Sequence, residues 1–275
     1  MAEHIRSNTL LNLSTDSDFY TDWKQMYQLD TEQTISNPYP TEKMMPSITR
    51  LISNLSAQFR LSHSIEFSTI DTMEMLVVRI IAGGENFNRD SFLQHIPLYV
   101  VAVISVVSKH FDARFKLDRQ LMLQILSRSL PKLVCSDKIL MELEFTVLKL
   151  LNYKIIHSLL LGAVERFSKD YILTLGIVRK DRIASIGIKL LRVVYAQKRQ
   201  IYESLRSSVK SEEMFVRFKS NKLILAAAIV TAILSFCDVD QQKISDLVIN
   251  PLSDDCFVEP KNIVYLRDAI VNVFK

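Results

Sequence analysis

The residue types that most often carry chemistry are scattered along this chain. It has five histidines, and its three cysteines, Cys135, Cys237 and Cys256, are far apart with no C-x-x-C pair. Zinc sites and disulfide frameworks need regularly spaced ligands, so we expect neither, and no other metal or cofactor. The acidic pair Glu142 and Glu144 is two residues apart on a predicted helix, where side chains do not face each other.

The sequence motifs of common enzymes are also missing. There is no H-E-x-x-H, no G-x-S-x-G, no H-x-E with a downstream P-C-x-x-C, and no glycine-rich phosphate loop. No stretch combines a nucleophile, a base and oxyanion donors. We therefore predict a chain that has no catalytic residues and is not an enzyme.

Charge is distributed unevenly. Residues 1–40 carry six acidic and two basic side chains, a net charge of −4, whereas residues 179–222 carry twelve basic and four acidic side chains, a net charge of +8. Such a basic stretch attracts nucleic acid or an acidic partner. Its charges also alternate with apolar residues at helical spacing, which fits the solvated face of two surface helices. The basic residues that we single out as a partner surface are Arg192, Lys198 and Arg199.

Composition favours helices as the elements that position these residues. Among 275 residues there are five glycines and seven prolines, and 48% of the chain is hydrophobic. Residues 1–40 are polar and end in Asn37-Pro38-Tyr39-Pro40, which predicts a disordered acidic tail.

The longest apolar run, residues 223–237, is shorter than the roughly 20 residues that span a membrane. We expect no membrane segment and no secretory signal, and hence a nuclear or cytoplasmic protein.

Apolar residues recur at helical spacing from residue 41 onward. Helices are predicted over 44–59, 65–80 (ended by Gly83-Gly84), 117–128 (stopped by Pro131) and 136–152. The last begins at Ser136 as its N-cap and has an apolar face formed by Ile139, Leu143, Val147 and Leu150. Residues 98–107 are apolar on every side. Because Pro97 suits a helix first turn, we predict a central buried helix there rather than a strand.

The second half repeats this plan. Helical faces are predicted near 157–171, 183–195, 199–209, 241–249 and 260–274, around an apolar helix over 222–237, with Glu212-Glu213 in a solvated turn. The predicted fold is all-α, with tandem bundles of about five helices over 41–156 and 157–275, each around a hydrophobic central helix.

Two segments of the first repeat resemble the cyclin box. They are Val106-Val107-Ser108-Lys109-His110-Phe111 and residues 141–155, which read Met-Glu-Leu-Glu-Phe-Thr-Val-Leu-Lys-Leu-Leu-Asn-Tyr-Lys-Ile. The resemblance covers residues 43–156 and extends more weakly over 157–275 as a second cyclin fold. Within the family, residues 51–56, 190–195, 201–206 and 217–220 are most similar to the divergent cyclin N-terminal domain-containing type, which acts at meiotic crossover sites.

The resemblance implies a partner and a site. A cyclin box packs against the αC helix of a cyclin-dependent kinase, so that the kinase's αC glutamate pairs with its active-site lysine. By motif, Lys109 and Glu144 are the residues that hydrogen-bond to the kinase backbone, with Val106, Leu148 and Phe111 beside them. The implied protein is a non-catalytic nuclear regulator of crossover designation and maturation. Its further implied partners are pro-crossover factors such as the meiotic MutS-type heterodimer and RING-type ligases.

The chain also departs from the family pattern. His110 stands between Lys109 and Phe111, where cyclins continue directly with an aromatic residue. The substrate-docking patch of cell-cycle cyclins aligns with Met44, Met45, Ile48 and Leu51, but its arginine is missing. We therefore predict that the chain does not dock Arg-x-Leu substrates. Tight binding of such a peptide, lost in Leu51→Ala, would contradict this.

Three other functions remain open from the sequence. The same fold can act as a kinase-independent scaffold for recombination factors, with the basic second repeat as its binding surface. It can act as a transcription-type cyclin with a different kinase. It can also bind nucleic acid directly, as basal transcription factors with tandem cyclin folds do, and binding of that kind weakens steeply with salt.

Overall fold

Apolar residues at helical spacing form helices wherever the chain is described. The structure is a computed structural model, described here for residues 44–82, 89–111, 118–129, 136–173, 176, 178–206, 209, 211–237 and 239–274. In these ranges every regular element is a helix, which confirms the all-α prediction. The predicted disordered tail over 1–40 and the helix ends at Gly83-Gly84 and Pro131 lie outside the described residues.

The described residues divide by their contacts into two compact units, 44–158 and 159–274. The helices of the first unit are α1 (Met45–Gln58), α2 (His63–Ala82), α3 (Arg89–Phe111), α4 (Arg119–Ser129) and α5 (Asp137–Leu150). As predicted, Ser136 caps α5, and its hydroxyl oxygen accepts a hydrogen bond from Ile139 N at 3.2 Å. At the other end of α5, Arg79 of α2 donates to the carbonyl oxygen of Leu150 at 2.7 Å.

Helix α3 is the central helix of this unit, as its apolar sequence predicted. It packs against α1, α2 and α5, and every residue from Leu98 to Ser108 is buried. Its stretch Phe92–Phe111 is, by length and composition, one that could cross a membrane, and 67% of it is buried inside the protein, as is usual for a core helix.

The start of α3 differs from the prediction. Pro97 lies inside the helix and not in its first turn, because α3 begins at Arg89. Upstream of the proline, Phe92 is buried and its ring lies 4.9 Å from that of Tyr99. This contact between a residue before Pro97 and one after it supports a continuous helix, although a proline removes one backbone hydrogen bond.

The second unit surrounds another apolar helix. Its helices are α6 (Leu159–Ser168, continued by the π-helical Lys169–Leu173), α7 (Lys180–Arg206), α8 (Glu212–Ser220), α9 (Lys222–Ser235), α10 (Gln241–Ile244, continued by the π-helical Ser245–Ile249), α11 (Asn250–Cys256) and α12 (Pro260–Phe274). Helix α9 is buried without a break from Leu223 to Leu234 and packs against α6, α7 and α12. The Asn221 side chain caps α9 by accepting from Leu223 N and Ile224 N at 2.9 and 3.1 Å.

The helices expected over 183–195 and 199–209 are the two parts of α7, which has a kink at the non-helical Gln197, between the two predicted ranges. The prediction for Glu212-Glu213 was wrong. Glu212 and Glu213 are the first turn of α8 and not a turn between helices. Acidic side chains are favoured at a helix N-terminus by the helix dipole, and Glu212 also accepts from Arg206 at 3.0 Å.

Candidate functional site

The structure brings Lys109 and Glu144 together. Lys109 lies in the last turn of α3 and Glu144 in the middle of α5, and Lys109 Nζ is 2.6 Å from Glu144 Oε2. The other carboxylate oxygen, Oε1, accepts a hydrogen bond of 2.6 Å from Ser105 Oγ. Ser105 and Lys109 are four residues apart, which places them on one face of α3. Two residues of one helix thus hold both oxygens of one carboxylate on another.

Burial distinguishes the two members of this ion pair. Glu144 is 8% exposed, so it is not the solvated acid that commonly flanks an apolar stripe. The side chain of Lys109 is 50% exposed. A buried carboxylate needs partners to replace water, and Ser105 and Lys109 supply them. The ammonium of this half-exposed side chain has three N–H donors, of which one binds Glu144, so it can also bind a partner molecule.

The orientation of α5 explains why Glu144 is buried. The sequence predicted a buried face formed by Ile139, Leu143, Val147 and Leu150, yet the residues buried in α5 are Leu140, Glu144 and Val147. The helix is rotated by about one residue from the predicted orientation. This rotation turns the carboxylate toward α3 and turns apolar side chains on its other flank outward.

The outward apolar side chains lie on the same helix as Glu144. Met141 and Phe145 are 54% and 53% exposed, and Leu148 is half-buried. At helical spacing these three residues form one strip beside Glu144, which we call the α5 strip. Lys149 Nζ lies 4.5 Å from the centre of the Phe145 ring, a cation–π contact at the edge of the strip. Exposed apolar residues grouped in this way mark an interaction surface more often than isolated ones do.

The remaining predicted kinase-interface residues have different surroundings. Val106 is buried, so it supports the site from inside the unit and offers little surface. Phe111 is half-buried, and its ring centre lies 4.5 Å from that of His157, whose ring also contacts His110 at 5.4 Å. Burial, followed by the nearby His110, lowers the pKa of His157. The extra histidine after Lys109 is therefore part of a ring cluster at the end of α3.

The aligned docking patch offers little surface. Met45 and Ile48 are buried in the core of the first unit, while Met44 and Leu51 are half-buried. Two of its four residues therefore serve packing. The prediction that Arg-x-Leu peptides do not bind stays a prediction.

The basic residues singled out in the second unit lie along α7. Arg199 is exposed and pairs with Glu203 at 2.6 Å, whereas Arg192 and Lys198 are half-buried. At its two ends, Arg179 pairs with Asp181 at 2.9 Å and Arg206 with Glu212 at 3.0 Å. These pairs offset part of the positive charge of the stretch.

Sequence reasoning missed Ser105, Met141 and Phe145. The spacing of Ser105 and Lys109 was visible, but no rule says that a helical serine bonds across to another helix. Met141 and Phe145 would be expected inside on hydrophobicity alone.

Among the described residues no group of three or more His, Cys, Asp or Glu side chains could hold a metal ion. Burial raises the pKa of Glu165, on α6, to about 7.

Comparison of the chain with protein-family models, with curated proteins and with solved structures finds no match to any of them.

Proposed function

We propose that this chain is a non-catalytic, cyclin-like regulatory protein that binds a cyclin-dependent kinase through Lys109, Glu144 and the α5 strip. The observation that carries the proposal is the 2.6 Å ion pair between Lys109 and Glu144. These residues are 35 positions apart, and the cyclin resemblance assigned both to one interface. Their contact, next to an exposed apolar strip, gives that assignment a physical basis.

The proposed mechanism is positional. The αC helix of the kinase packs on the end of α3 and on α5, with Lys109 and Glu144 bonded to its backbone and the α5 strip covering its apolar side chains. Holding the αC helix inward lets its glutamate pair with the active-site lysine that phosphoryl transfer requires. Each charge-assisted hydrogen bond contributes about 1.5–3 kcal/mol. Loss of both bonds weakens binding by about 100-fold or more.

Co-purification tests the kinase interface. The tagged full-length chain is co-expressed with a panel of cyclin-dependent kinases, as wild type and as Lys109→Ala/Glu144→Ala, and the stoichiometry of kinase recovery is measured. The matched control is Glu259→Ala/Lys261→Ala, which removes an exposed glutamate–lysine pair from the second unit. Circular dichroism checks that all three chains are helical.

We expect wild type and control to recover a kinase stoichiometrically and the Lys109/Glu144 variant to lose it. Recovery of no kinase by the wild-type chain would refute the proposal. Equal recovery by all three chains would show that the kinase binds elsewhere.

The proposed setting is meiotic crossover designation and maturation in the nucleus, alongside factors such as the MutS-type heterodimer and RING-type ligases. It rests on the resemblance to the cyclin N-terminal domain-containing type. Deletion of the gene is expected to abolish crossovers while double-strand breaks still form. Normal numbers of chiasmata in the deletion strain would refute the meiotic part and leave the kinase interface standing.

The charge of α7 supports a second candidate, a scaffold that binds an acidic partner without a kinase. Its exposed basic side chains lie on both sides of the kink at Gln197, and they are Lys180, Arg182, Lys189, Arg199 and Arg206. Charge reversal at Arg192, Lys198 and Arg199 would then abolish function, whereas loss of Lys109 and Glu144 would have no effect. The kinase proposal expects the opposite.

A further inference from the structure

Several hydroxyl groups in the described helices bond within their own helix. Thr69 donates to the carbonyl oxygen of Ile65 at 2.7 Å, and Ser235 to that of Thr231 at 3.2 Å. This is the ordinary behaviour of helical serine and threonine. Ser105 differs, because its hydroxyl donates at 2.6 Å to Glu144, a residue of another helix.

Ser108 provides an internal comparison. It lies on the same helix as Ser105 and is equally buried, but its hydroxyl has no hydrogen-bond partner among the described residues. A buried hydroxyl at this end of α3 is therefore tolerated without a partner. The bond from Ser105 to Glu144 then has a more specific consequence than satisfying a polar atom.

We infer that Ser105 is a positioning residue of the proposed kinase site, an inference that rests on the proposed function. The Ser105 hydroxyl fixes Oε1 of Glu144, and this leaves Oε2 aligned with Lys109. Without the hydroxyl, the bond that fixes Oε1 to α3 is lost, and the carboxylate can rotate away from its alignment with Lys109. The pair then loses the geometry in which it meets the kinase backbone.

The test is a double-mutant cycle on kinase affinity. The dissociation constant is measured for the full-length wild type, Ser105→Ala, Glu144→Ala and the double variant, with the kinase that the wild type recovers from the panel. Ser108→Ala is the matched control, since it removes an equally buried hydroxyl from the same helix. Urea unfolding of each chain is measured in parallel.

We expect Ser105→Ala to weaken kinase binding about tenfold, the effect of one charge-assisted hydrogen bond. Ser108→Ala should bind like wild type. In the Glu144→Ala background the serine change should alter affinity by less than about twofold, because no acceptor remains at position 144 for it to position.

Two results overturn the inference. One is that Ser105→Ala binds the kinase as tightly as wild type. The other is that Ser105→Ala weakens binding equally whether or not Glu144 is present, which is what a packing role produces. If the wild-type chain binds no kinase, the proposed function fails, and the unfolding data alone judge Ser105. Additive effects of the 105 and 144 substitutions on the free energy of unfolding then overturn the inference, and non-additive effects support its positioning part.

Discussion

Loss of Lys109 should destabilise the first unit more than loss of the Glu144 charge. In Lys109→Ala the Glu144 carboxylate, which is 8% exposed in the wild type, loses its charged partner on α3 and keeps the bond from Ser105. In Glu144→Gln the shape of the side chain is kept and an amide oxygen can still accept from Ser105. The Lys109 side chain left behind is 50% exposed, so its ammonium can be hydrated. The lysine substitution should therefore be the more harmful one.

The magnitudes follow from burial. Stranding a fully buried charge costs about 3–5 kcal/mol of folding free energy. Here the lost partner is half in water, so we expect about 1–3 kcal/mol for Lys109→Ala. For Glu144→Gln we expect about 1 kcal/mol or less, because the charge left behind belongs to the half-exposed Lys109 side chain and can be hydrated. The double variant Lys109→Met/Glu144→Leu keeps the apolar parts of both side chains and removes both charges. Its free energy of unfolding should therefore lie within about 1 kcal/mol of the wild-type value.

Hydrogen exchange at pH 7 on peptides from α3 and α5, read by mass spectrometry, reports this unit separately from the second one. Each 1.4 kcal/mol of lost stability speeds exchange through opening about tenfold. The reasoning is refuted if Glu144→Gln exchanges faster than Lys109→Ala, or if Lys109→Ala exchanges like wild type. Either outcome would mean that the carboxylate is hydrated in solution.

Three further predictions concern the second unit, and each is read by urea unfolding. Burial raises the pKa of Glu165 to about 7, above its value of 4.5 in the unfolded chain, so its contribution to stability falls as pH rises from about 4.5 to about 7. Glu165→Gln should therefore be more stable than wild type by up to about 3 kcal/mol at pH 8 and equal to it at pH 4; equality at both would contradict this. A Cβ on Gly187 would lie 3.3 Å from Ile233 Cδ1, so Gly187→Ala should gain little of the roughly 1 kcal/mol of helix propensity. In the Ile233→Val background, Gly187→Ala should increase the free energy of unfolding more than it does in the wild-type background. The same effect in both backgrounds would show that the alanine does not contact Ile233. Asn221→Ala should lose about 1 kcal/mol by uncapping α9, whereas Asn221→Asp should be nearly neutral; equal losses would mean that the cap bonds are absent.

Helix positions in this chain follow closely from local sequence. The apolar periodicity over 44–59 and the cap at Ser136 are enough to place α1 and the start of α5, since they act within a few residues. The all-round apolar stretches at 98–107 and 222–237 were correctly predicted as buried central helices. Errors arose where two local preferences compete, as at Glu212-Glu213, where the acidic pair is equally compatible with a turn and with the first turn of a helix.

Much less of the candidate site than of the helix positions could be predicted from local sequence. The motif resemblance singled out Lys109 and Glu144, but spacing along the chain says nothing about a contact between residues 35 apart. The rotation of α5 that buries Glu144 and exposes Phe145 comes from how α5 fits against α3. A periodic pattern shows which side of a helix is apolar. The exact rotation of the helix about its axis is set by the helix against which it packs.

The helical class of this protein, the positions of its two central helices and its lack of recognisable catalytic motifs can all be read from the sequence. These properties depend on composition and on interactions between residues a few positions apart. The contacts of Ser105 and Lys109 with the two oxygens of Glu144, and the exposure of Met141 and Phe145, emerge only in the folded unit. Those features depend on which surfaces of distant helices meet, and a buried charge lies where the packing of the whole unit places donors around it.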